Sequence, residues 1–464
     1  ARLSPGGFVF DVAGSSLFPD DIPLILAVLN SRFALYGLRL INPTVNFQVG
    51  DLARLPVPKA SSHSLRTLVD QAIALAKADS EDEETTWDFI TPPDRPDGTQ
   101  KVAERHSQLA EIERQIDEEV YRLYGISIED RRAIEAELAA GGTSTENEED
   151  EEPGDTDSEE TETTKTFWSE EDLAKAWISY AVGIVMGQFE PGLENGLGRG
   201  RFDKETANCL QALKDEDGLL VVDQGHPDDL AVKVFAALEV IFGEEKAESL
   251  IRQALTNNSE PLTILRDYLA DKFFKEHIQR YRKRPIYWYL RSSRGNYGLW
   301  LYYHRLDKDI LFKALLNYVE PKIRLEDDRL KTLRGRKEAA GSAGREAKQL
   351  EKEIDRQEQF VSELKDFEER LRRAANLRLD FDLNDGVVLN MAPLWELVPW
   401  NEPKKYWEDL QEGKYDWSHI AYQLWPERVQ EACRKDRSIA IAHGREDLCE
   451  VQQASTGKRK RTRK

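Results

Sequence analysis

The first long run of apolar residues lies at residues 22–37 and has helical spacing. A single amphipathic helix is predicted there, with one buried face formed by Leu24, Ala27, Val28, Ser31 and Leu35. A β-like run at residues 7–12 precedes this helix. A polar stretch bounded by prolines follows it up to Pro58, and there we expect loop and a short strand.

Further helical patterns follow along the chain, at residues 62–78, 100–124, 170–186, 228–241, 244–255 and 260–274. Residues 141–165 consist of Glu, Asp, Thr, Ser and Gly with almost no apolar residue, which predicts a disordered linker and a domain boundary. Residues 190–202 are rich in glycine and predict a flexible loop.

Two aromatic runs, at residues 284–290 and 298–303, are separated by a polar turn at residues 292–296. Their high β-propensity and the turn between them predict a β-hairpin. After the hairpin, residues 325–377 form a long charged helical stretch with a heptad pattern at Leu350, Ile354, Val361, Leu364 and Leu371. Gln357 and Glu368 occupy two of the apolar positions in that pattern.

Three glycines in this stretch, Gly335, Gly341 and Gly344, predict a break into two antiparallel arms. The pattern leaves open whether the heptads pair within one chain or between two chains. The remaining residues, 380–441, are rich in aromatic residues and are expected to pack if their five tryptophans are inside, namely Trp395, Trp400, Trp407, Trp417 and Trp425.

At 464 residues the chain is too long for one ordinary core. The patterns predict an α+β, predominantly α-helical protein in which a small mixed unit is followed by helical domains. We expect a mixed unit at 1–60, a helical segment at 61–140, the acidic linker at 141–165, a helical domain with the hairpin at 166–322, a helical spacer at 323–378, an aromatic-rich region at 379–450 and a basic tail at 451–464.

The net charge of −21 argues against binding to nucleic acid only if the charge is evenly spread along the chain. Ten of the fifteen residues at 146–160 are acidic, whereas residues 458–464 hold six Lys or Arg. The three cysteines are far apart and form neither a CxxC pair nor a spacing with histidines, which favours a reducing, cytoplasmic setting. No run of apolar residues reaches the length of a membrane span, so we expect no membrane partner.

No catalytic or cofactor motif stands out in the sequence. Adenine methyl transfer needs a glycine loop after a strand and an Asn/Asp-Pro-Pro-aromatic tetrad, and residues 91–94, Thr-Pro-Pro-Asp, lack both flanking residue types. That segment is interpreted as a linker. The seven histidines are scattered without an HExxH pattern, so we expect neither a metal ligand nor a cofactor-binding residue in this chain.

The strongest chemical signal lies at residues 275–305, where eight Lys or Arg and eight Tyr or Trp occur with a single acidic residue, Glu276. Arginines contact phosphates, and aromatic faces stack on unpaired bases. An aromatic ladder across two strands, with its rings buried and arginines at the surface, accounts for the same composition. We weigh these two interpretations equally, and they can hold on opposite faces.

The opening GGFVFDVAGSSLFP and the later LAVLNSRFALYGLRLINPTVNFQVGDLARLPVP resemble the start of a target-recognition region in single-chain restriction-modification enzymes. RKRPIYWYLRSSRGNYGLWLYYHRLDKDIL, LDFDLNDGVVLNMAPLWELVP and GKYDWSHIAYQLWPERV resemble the C-terminal half of the adenine-specific DNA methyltransferase of BREX-type phage-exclusion systems. The likeness implies S-adenosylmethionine for the parent enzyme, double-stranded DNA as substrate and other phage-defence proteins as partners. The chain starts without methionine at Ala1, and the catalytic motifs are expected before it.

The resemblance and the basic segment together give the candidate DNA-binding residues: Asn42, Asn46, Gln48, Arg282, Lys283, Arg284, Arg291, Arg294 and Asn296. For Asn42 and Asn46, stabilisation of their own loop is an equal alternative. The function expected is DNA recognition and partner docking for a methyltransferase whose catalytic domain lies elsewhere. The alternative is a helical scaffold of a defence complex that binds proteins rather than DNA.

Overall fold

In the computed structural model, the chain divides into two compact units, one of residues 1–176 with 197–201 and one of residues 177–196 with 202–464. The structure describes residues 1–4, 6–7, 15–42, 47–58, 62–141, 168–190, 202–255, 259–340 and 344–449. Most of the β-like run, the acidic linker, the glycine-rich loop and the basic tail lie outside these ranges. The fold is predominantly α-helical with one small antiparallel sheet, as the sequence predicts.

The helices of the first unit up to residue 141 are α1 (Ile22–Leu29), α2 (Arg32–Ile41), α3 (Val49–Leu52), α4 (His63–Asp82), α5 (Gly98–Tyr124) and α6 (Ile128–Gly141). Their core forms where apolar side chains of α1, α4 and α5 meet, including Val28, Leu65, Val69, Ile116 and Val120. The predicted helices at 62–78 and 100–124 are confirmed as α4 and α5. Ser62 caps α4 by accepting a hydrogen bond from the Leu65 amide.

The prediction of one continuous helix at residues 22–37 is wrong, because the chain bends by 70° between α1 and α2. Ser31 causes the restart: its hydroxyl accepts a hydrogen bond from the Ala34 amide and donates one to the Val28 carbonyl. The bend also exposes Leu35, so that α2 buries Ala34 and Leu38 instead. No single described helix is long and apolar enough to cross a membrane, and α1 and α2 reach that length only when joined across the bend.

The polar stretch before Pro58 contains the short helix α3 rather than the expected strand in its described part, residues 47–58. The segment at Thr91, Pro92 and Pro93, interpreted as a linker, has no regular structure, but all three residues are buried. The segment is therefore packed into the protein rather than exposed as a linker would be.

From residue 168 onward the elements are α7 (Glu170–Met186), α8 (Lys204–Gln211), β1 (Leu219–Val221), α9 (Leu230–Phe242), α10 (Glu244–Ala254), α11 (Pro261–Asp271), α12 (Phe273–Arg280), β2 (Tyr287–Arg291), β3 (Gly298–Tyr302), α13 (Ile310–Lys313), α14 (Glu320–Ala340), α15 (Arg345–Asn376), α16 (Val387–Met391), α17 (Glu402–Glu412), α18 (His419–Leu424), α19 (Pro426–Lys435) and α20 (Arg437–Ala442). A π-helical stretch, Ala314–Val319, joins α13 to α14. The helix predicted at residues 260–274 is divided at Lys272 into α11 and α12.

The predicted β-hairpin is confirmed as β2 and β3, which pair antiparallel with Tyr289 opposite Trp300. A third strand, β1, was not predicted and pairs with the other edge of β3, giving the order β1-β3-β2. All three strands are buried along nearly their whole length. The sheet is therefore the centre of the second unit's core rather than a surface ribbon.

The long charged stretch forms two antiparallel arms, α14 and α15, as predicted. Gly335 stays inside α14, and the break falls after Ala340. Leu330 and Leu333 of α14 contact Ile354 of α15, so the heptads pair within the chain. Gln357, which interrupts the heptad pattern, is buried and donates to the carbonyl and the carboxylate of Glu326 in the facing arm.

The aromatic-rich region packs into a core of its own around Leu389, Leu410, Ile420 and Val429. Four of its five tryptophans are partly buried, but Trp417 is 43% exposed. The expectation of five inward tryptophans therefore fails for Trp417 alone.

We expect Ser31→Ala to loosen the start of α2, because the Ala34 amide loses its capping acceptor at a cost of about 1 kcal/mol. Hydrogen exchange of the Ala34 amide measures this locally and should be faster by about fivefold. Ser107→Ala, the same substitution at an exposed position inside α5, is the matched control and should leave that exchange unchanged. Equal rates in the wild type and in Ser31→Ala would show that the hydroxyl does not hold the bend.

Candidate DNA-binding surface

A tight basic turn follows α12 and precedes β2. Arg282 and Lys283 adopt left-handed backbone conformations, with φ angles of 48° and 62°. The Lys283 amide donates to the Ile278 carbonyl at 2.8 Å, and the Arg284 amide donates to the Tyr281 carbonyl at 2.9 Å. The turn thereby ends the helix and places the side chains of Arg282, Lys283 and Arg284 at the surface. We call residues 280–284 the basic turn.

The buried imidazole of His277 fixes the backbone just after the basic turn. Its Nε2 accepts hydrogen bonds from the Ile286 and Tyr287 amides, both at 3.1 Å, and its ring stacks on Tyr287. Because Nε2 is the acceptor, the neutral ring carries its proton on Nδ1. Burial, followed by the positive charge of Arg280, lowers the pKa of His277 well below its ordinary value of 6.5.

The aromatic side chains of the hairpin lie in the core. Trp288 and Trp300 have no exposed surface, and Tyr289 has 1%. Tyr289 stacks on Trp300 across the strand pair, with ring centroids 4.8 Å apart. The interpretation as a buried ladder across the strands therefore describes these rings, and they are not available to stack on bases.

The turn at the other end of the hairpin is held by Glu363 of α15. This buried carboxylate accepts four hydrogen bonds: from the Ser292 hydroxyl, the Arg294 amide at 3.0 Å, the Asn296 amide at 3.2 Å and the Asn296 side chain at 2.7 Å. Burial alone raises the pKa of a carboxyl, but these bonds outweigh it, and the pKa of Glu363 is lowered. Both the backbone amide and the side-chain amide of Asn296 are therefore hydrogen-bonded within the protein.

The two arginines of this turn differ in how much of the guanidinium is held by other residues of the protein. Arg291 bonds Asp271 at 2.9 Å and folds its guanidinium over Gly295, where a Cβ atom would collide with it. The guanidinium of Arg294 contacts Gln359 at 2.9 Å and remains exposed. Arg294 is thus the more accessible of the two.

The candidates near the start of the chain belong to the first unit. The Asn42 side chain donates to the Asp51 carboxylate at 2.9 Å, and the Gln48 amide donates to the same carboxylate at 3.0 Å. These bonds, the first from Asn42, lower the pKa of Asp51. Asn42 therefore stabilises its own loop, Gln48 keeps an exposed side chain, and Asn46 lies outside the described residues.

The structure separates the candidates of the second unit into two groups. Arg282, Lys283 and Arg284 precede β2, whereas Arg294 and Asn296 follow it. Five residues of extended strand between them span roughly 17 Å, at about 3.3 Å per residue. The basic turn and the hairpin turn are therefore two surfaces rather than one.

Two further basic residues, Lys214 and Arg305, were not among the candidates. Both lie beside Gly187, where a Cβ atom would come within 3.0 Å of the Lys214 side chain and 2.9 Å of the Arg305 guanidinium. The next residue, Gln188, hydrogen-bonds the hydroxyls of Tyr281 and Tyr287. Lys214 lies far from the basic segment in sequence, and only the fold brings it beside Gly187 and Arg305.

Nothing in the described part of the chain groups His, Cys, Asp or Glu side chains closely enough to hold a metal ion. Asp229, whose side chain has no exposed surface, instead forms an ion pair with Arg266 at 2.6 Å. Asp229 also caps α9, because its carboxylate accepts a hydrogen bond from the Ala231 amide. Its role is structural.

We expect Glu363→Gln to destabilise the second unit by about 1–3 kcal/mol, because one oxygen acceptor becomes an amide donor facing Asn296. Chemical denaturation followed by tryptophan fluorescence measures the loss. Glu369→Gln, on the exposed side of the same helix, is the control and should cost less than about 0.5 kcal/mol. Equal stability of the two variants would argue against a role for Glu363 in holding the turn.

We expect protonation of His277 to destabilise the fold, since a charged imidazole cannot accept the two amide bonds. The folded pKa is lowered, so the unfolded chain binds the proton first, and the free energy of unfolding falls as pH drops below about 6.5. In His277→Gln the carboxamide oxygen can take the place of Nε2 without titrating. Its melting temperature between pH 7 and pH 5 should fall less than that of the wild type; parallel curves would contradict the assignment.

Comparison with known proteins gives two long matches, whereas no protein-family model matches the chain. The chain is 30% identical over 447 residues to the adenine-specific methyltransferase BrxX of Escherichia coli O9:H4 (strain HS), which covers 86% of this chain and 35% of that protein. It is 29% identical over 412 residues to the adenine-specific methyltransferase PglX of Lacticaseibacillus casei (strain Zhang), covering 84% of this chain and 33% of that protein. The chain spans about a third of the length of these curated relatives, and over that span it is homologous to the BREX adenine-specific methyltransferases BrxX and PglX.

Proposed function

We propose that this chain is the DNA-recognition and partner-docking portion of an adenine-specific DNA methyltransferase that acts in phage defence. The parent enzyme uses S-adenosylmethionine, and residues outside this chain carry the cofactor site and the transfer of the methyl group to adenine. Two matches to proteins named adenine-specific methyltransferases, each spanning about a third of the relative, support this division.

The observation that carries the proposal is the basic turn. Arg282, Lys283 and Arg284 are consecutive and exposed, and backbone hydrogen bonds to Ile278 and Tyr281 close their turn. A rigid backbone reduces the entropy lost when these long side chains bind phosphate. Their combined charge creates a local positive field on a chain whose net charge is −21.

In this proposal the basic turn contacts the sugar-phosphate backbone of double-stranded DNA and positions the chain on it. The recognised bases are read by side chains that enter a groove, for which exposed Gln48 and Arg294 are the candidates in the two units. The hairpin aromatics support the turn from within and take no part in base contact.

Reversal of three charges tests the basic turn. We expect Arg282→Glu, Lys283→Glu and Arg284→Glu together to weaken duplex binding by at least about tenfold, because up to three phosphate contacts are lost. The slope of log affinity against log salt should fall by about 2–3. The measurement is fluorescence anisotropy with a labelled duplex at several salt concentrations.

The matched control reverses three exposed lysines in the two arms, Lys331, Lys348 and Lys352. It changes the net charge by the same amount and should leave affinity within about threefold. If the basic-turn variant keeps its duplex affinity but loses binding to defence proteins, the scaffold function is favoured. Robust adenine methylation by this chain alone, with S-adenosylmethionine added, would contradict the proposed division of labour.

A further inference from the structure

A groove on the second unit lies where the C-terminal half of α15 faces the segment that leads into α17. Its walls carry two indole rings, Trp395 and Trp400, and three cations, Arg370, Arg373 and Lys404. None of these residues belongs to the basic turn, the hairpin turn or the loop of Asn42. The groove therefore has a chemistry of its own that the proposed duplex contact does not use.

Each of the two indoles packs against another side chain, and each tryptophan is neither fully buried nor fully exposed. Trp400 contacts the fully buried Trp288, with ring centroids 5.9 Å apart. The Lys404 ammonium lies 5.4 Å from the centre of the Trp395 ring, within the range of a cation–π contact. Both tryptophans are partly buried, so the groove holds aromatic surface beside the three cations and their acidic partners.

The three cations keep donors for a ligand although each pairs with at least one carboxylate, Arg373 also with Glu369 and Lys404 with Glu408. Arg370 pairs with Asp366 at 2.9 Å, and Arg373 pairs with Glu396 at 2.8 Å. The side chains of Arg370, Arg373 and Lys404 remain 32%, 55% and 52% exposed. A guanidinium has five N–H donors, and these pairs leave some of them unused.

We propose that this groove binds a short single-stranded segment of nucleic acid. Aromatic faces stack on bases whatever their identity, and the neighbouring cations contact the phosphates. In a duplex the base faces are hidden by stacking, so the indoles distinguish an unpaired strand from a paired one. An acidic peptide matches the cations but has no ring to place on the indoles.

The test compares two pairs of charge reversals at adjacent positions. Arg373→Glu with Lys404→Glu removes two groove cations, whereas Arg372→Glu with Lys405→Glu changes residues that pair with Glu320, Glu368 and Glu402 outside the groove. The ligand is a fluorescein-labelled dodecamer of thymidylate, measured by anisotropy at low and moderate salt. Thermal melting establishes that each variant is folded.

We expect the groove pair to bind the dodecamer at least about tenfold more weakly than the wild type, and the control pair to stay within about threefold. Trp395→Leu, which keeps an apolar side chain but removes the ring, should lose about five- to tenfold from one stacked base. Together these losses support a stacking groove. Equal losses in both charge-reversal pairs, or no loss in Trp395→Leu, would overturn the proposal.

Two further measurements separate this proposal from the duplex contact. The variant of Arg282, Lys283 and Arg284 should keep most of its affinity for the dodecamer, within about threefold, whatever happens to its duplex binding. Polyglutamate should compete poorly with the dodecamer at equal charge. Competition as strong as that of unlabelled thymidylate, or a groove variant that loses duplex and single-strand binding alike, would identify a general anion surface and overturn the single-strand proposal.

Discussion

Complete burial of the aromatic hairpin is the constraint on which the second unit depends. A buried strand edge must find partners for its amides and carbonyls, because each unpaired group costs about 1–3 kcal/mol. Three separate elements supply them: His277 accepts from the start of β2, the Leu397 carbonyl accepts from the Arg291 amide, and Glu363 accepts from the turn. Helices α12 and α15 and the segment at residue 397 are therefore held against one sheet.

Much of the fold follows from local pattern. The heptads and glycines predict the two arms, and the aromatic runs predict the hairpin. Both patterns can be seen in the sequence because the residues that form them are close together along the chain. Strand β1 was missed because three residues, Leu219 to Val221, carry too short a pattern and depend on β3 for their hydrogen bonds. The break at Ser31 was missed because apolar spacing continues through it and the hydroxyl reveals its capping role only through bonds to Val28 and Ala34.

The candidate site was less predictable than the fold. A cluster such as Arg282, Lys283 and Arg284 is visible in the sequence, but Asn296 and Arg291 look equally suitable until Glu363 and Asp271 engage them. Composition alone cannot tell a buried aromatic ladder from a base-stacking platform, because burial is decided by elements outside the hairpin, such as β1 and α12. Trp395 and Trp400 show the opposite case, a surface cluster that the sequence does not reveal. They lie close to Arg370 and Arg373 of α15 only in the folded chain.

The length of β2 also sets a scale for the proposed contact with DNA. Bases rise about 3.4 Å along each strand of a duplex, so the roughly 17 Å spanned by the five residues of β2 equals about five base pairs. Five base pairs are close to half a helical turn, which carries the phosphates from one side of a groove to the other. In the proposed complex, a duplex laid along β2 therefore passes the two turns about half a helical turn apart, so the length of this buried strand determines which side of the duplex each turn meets.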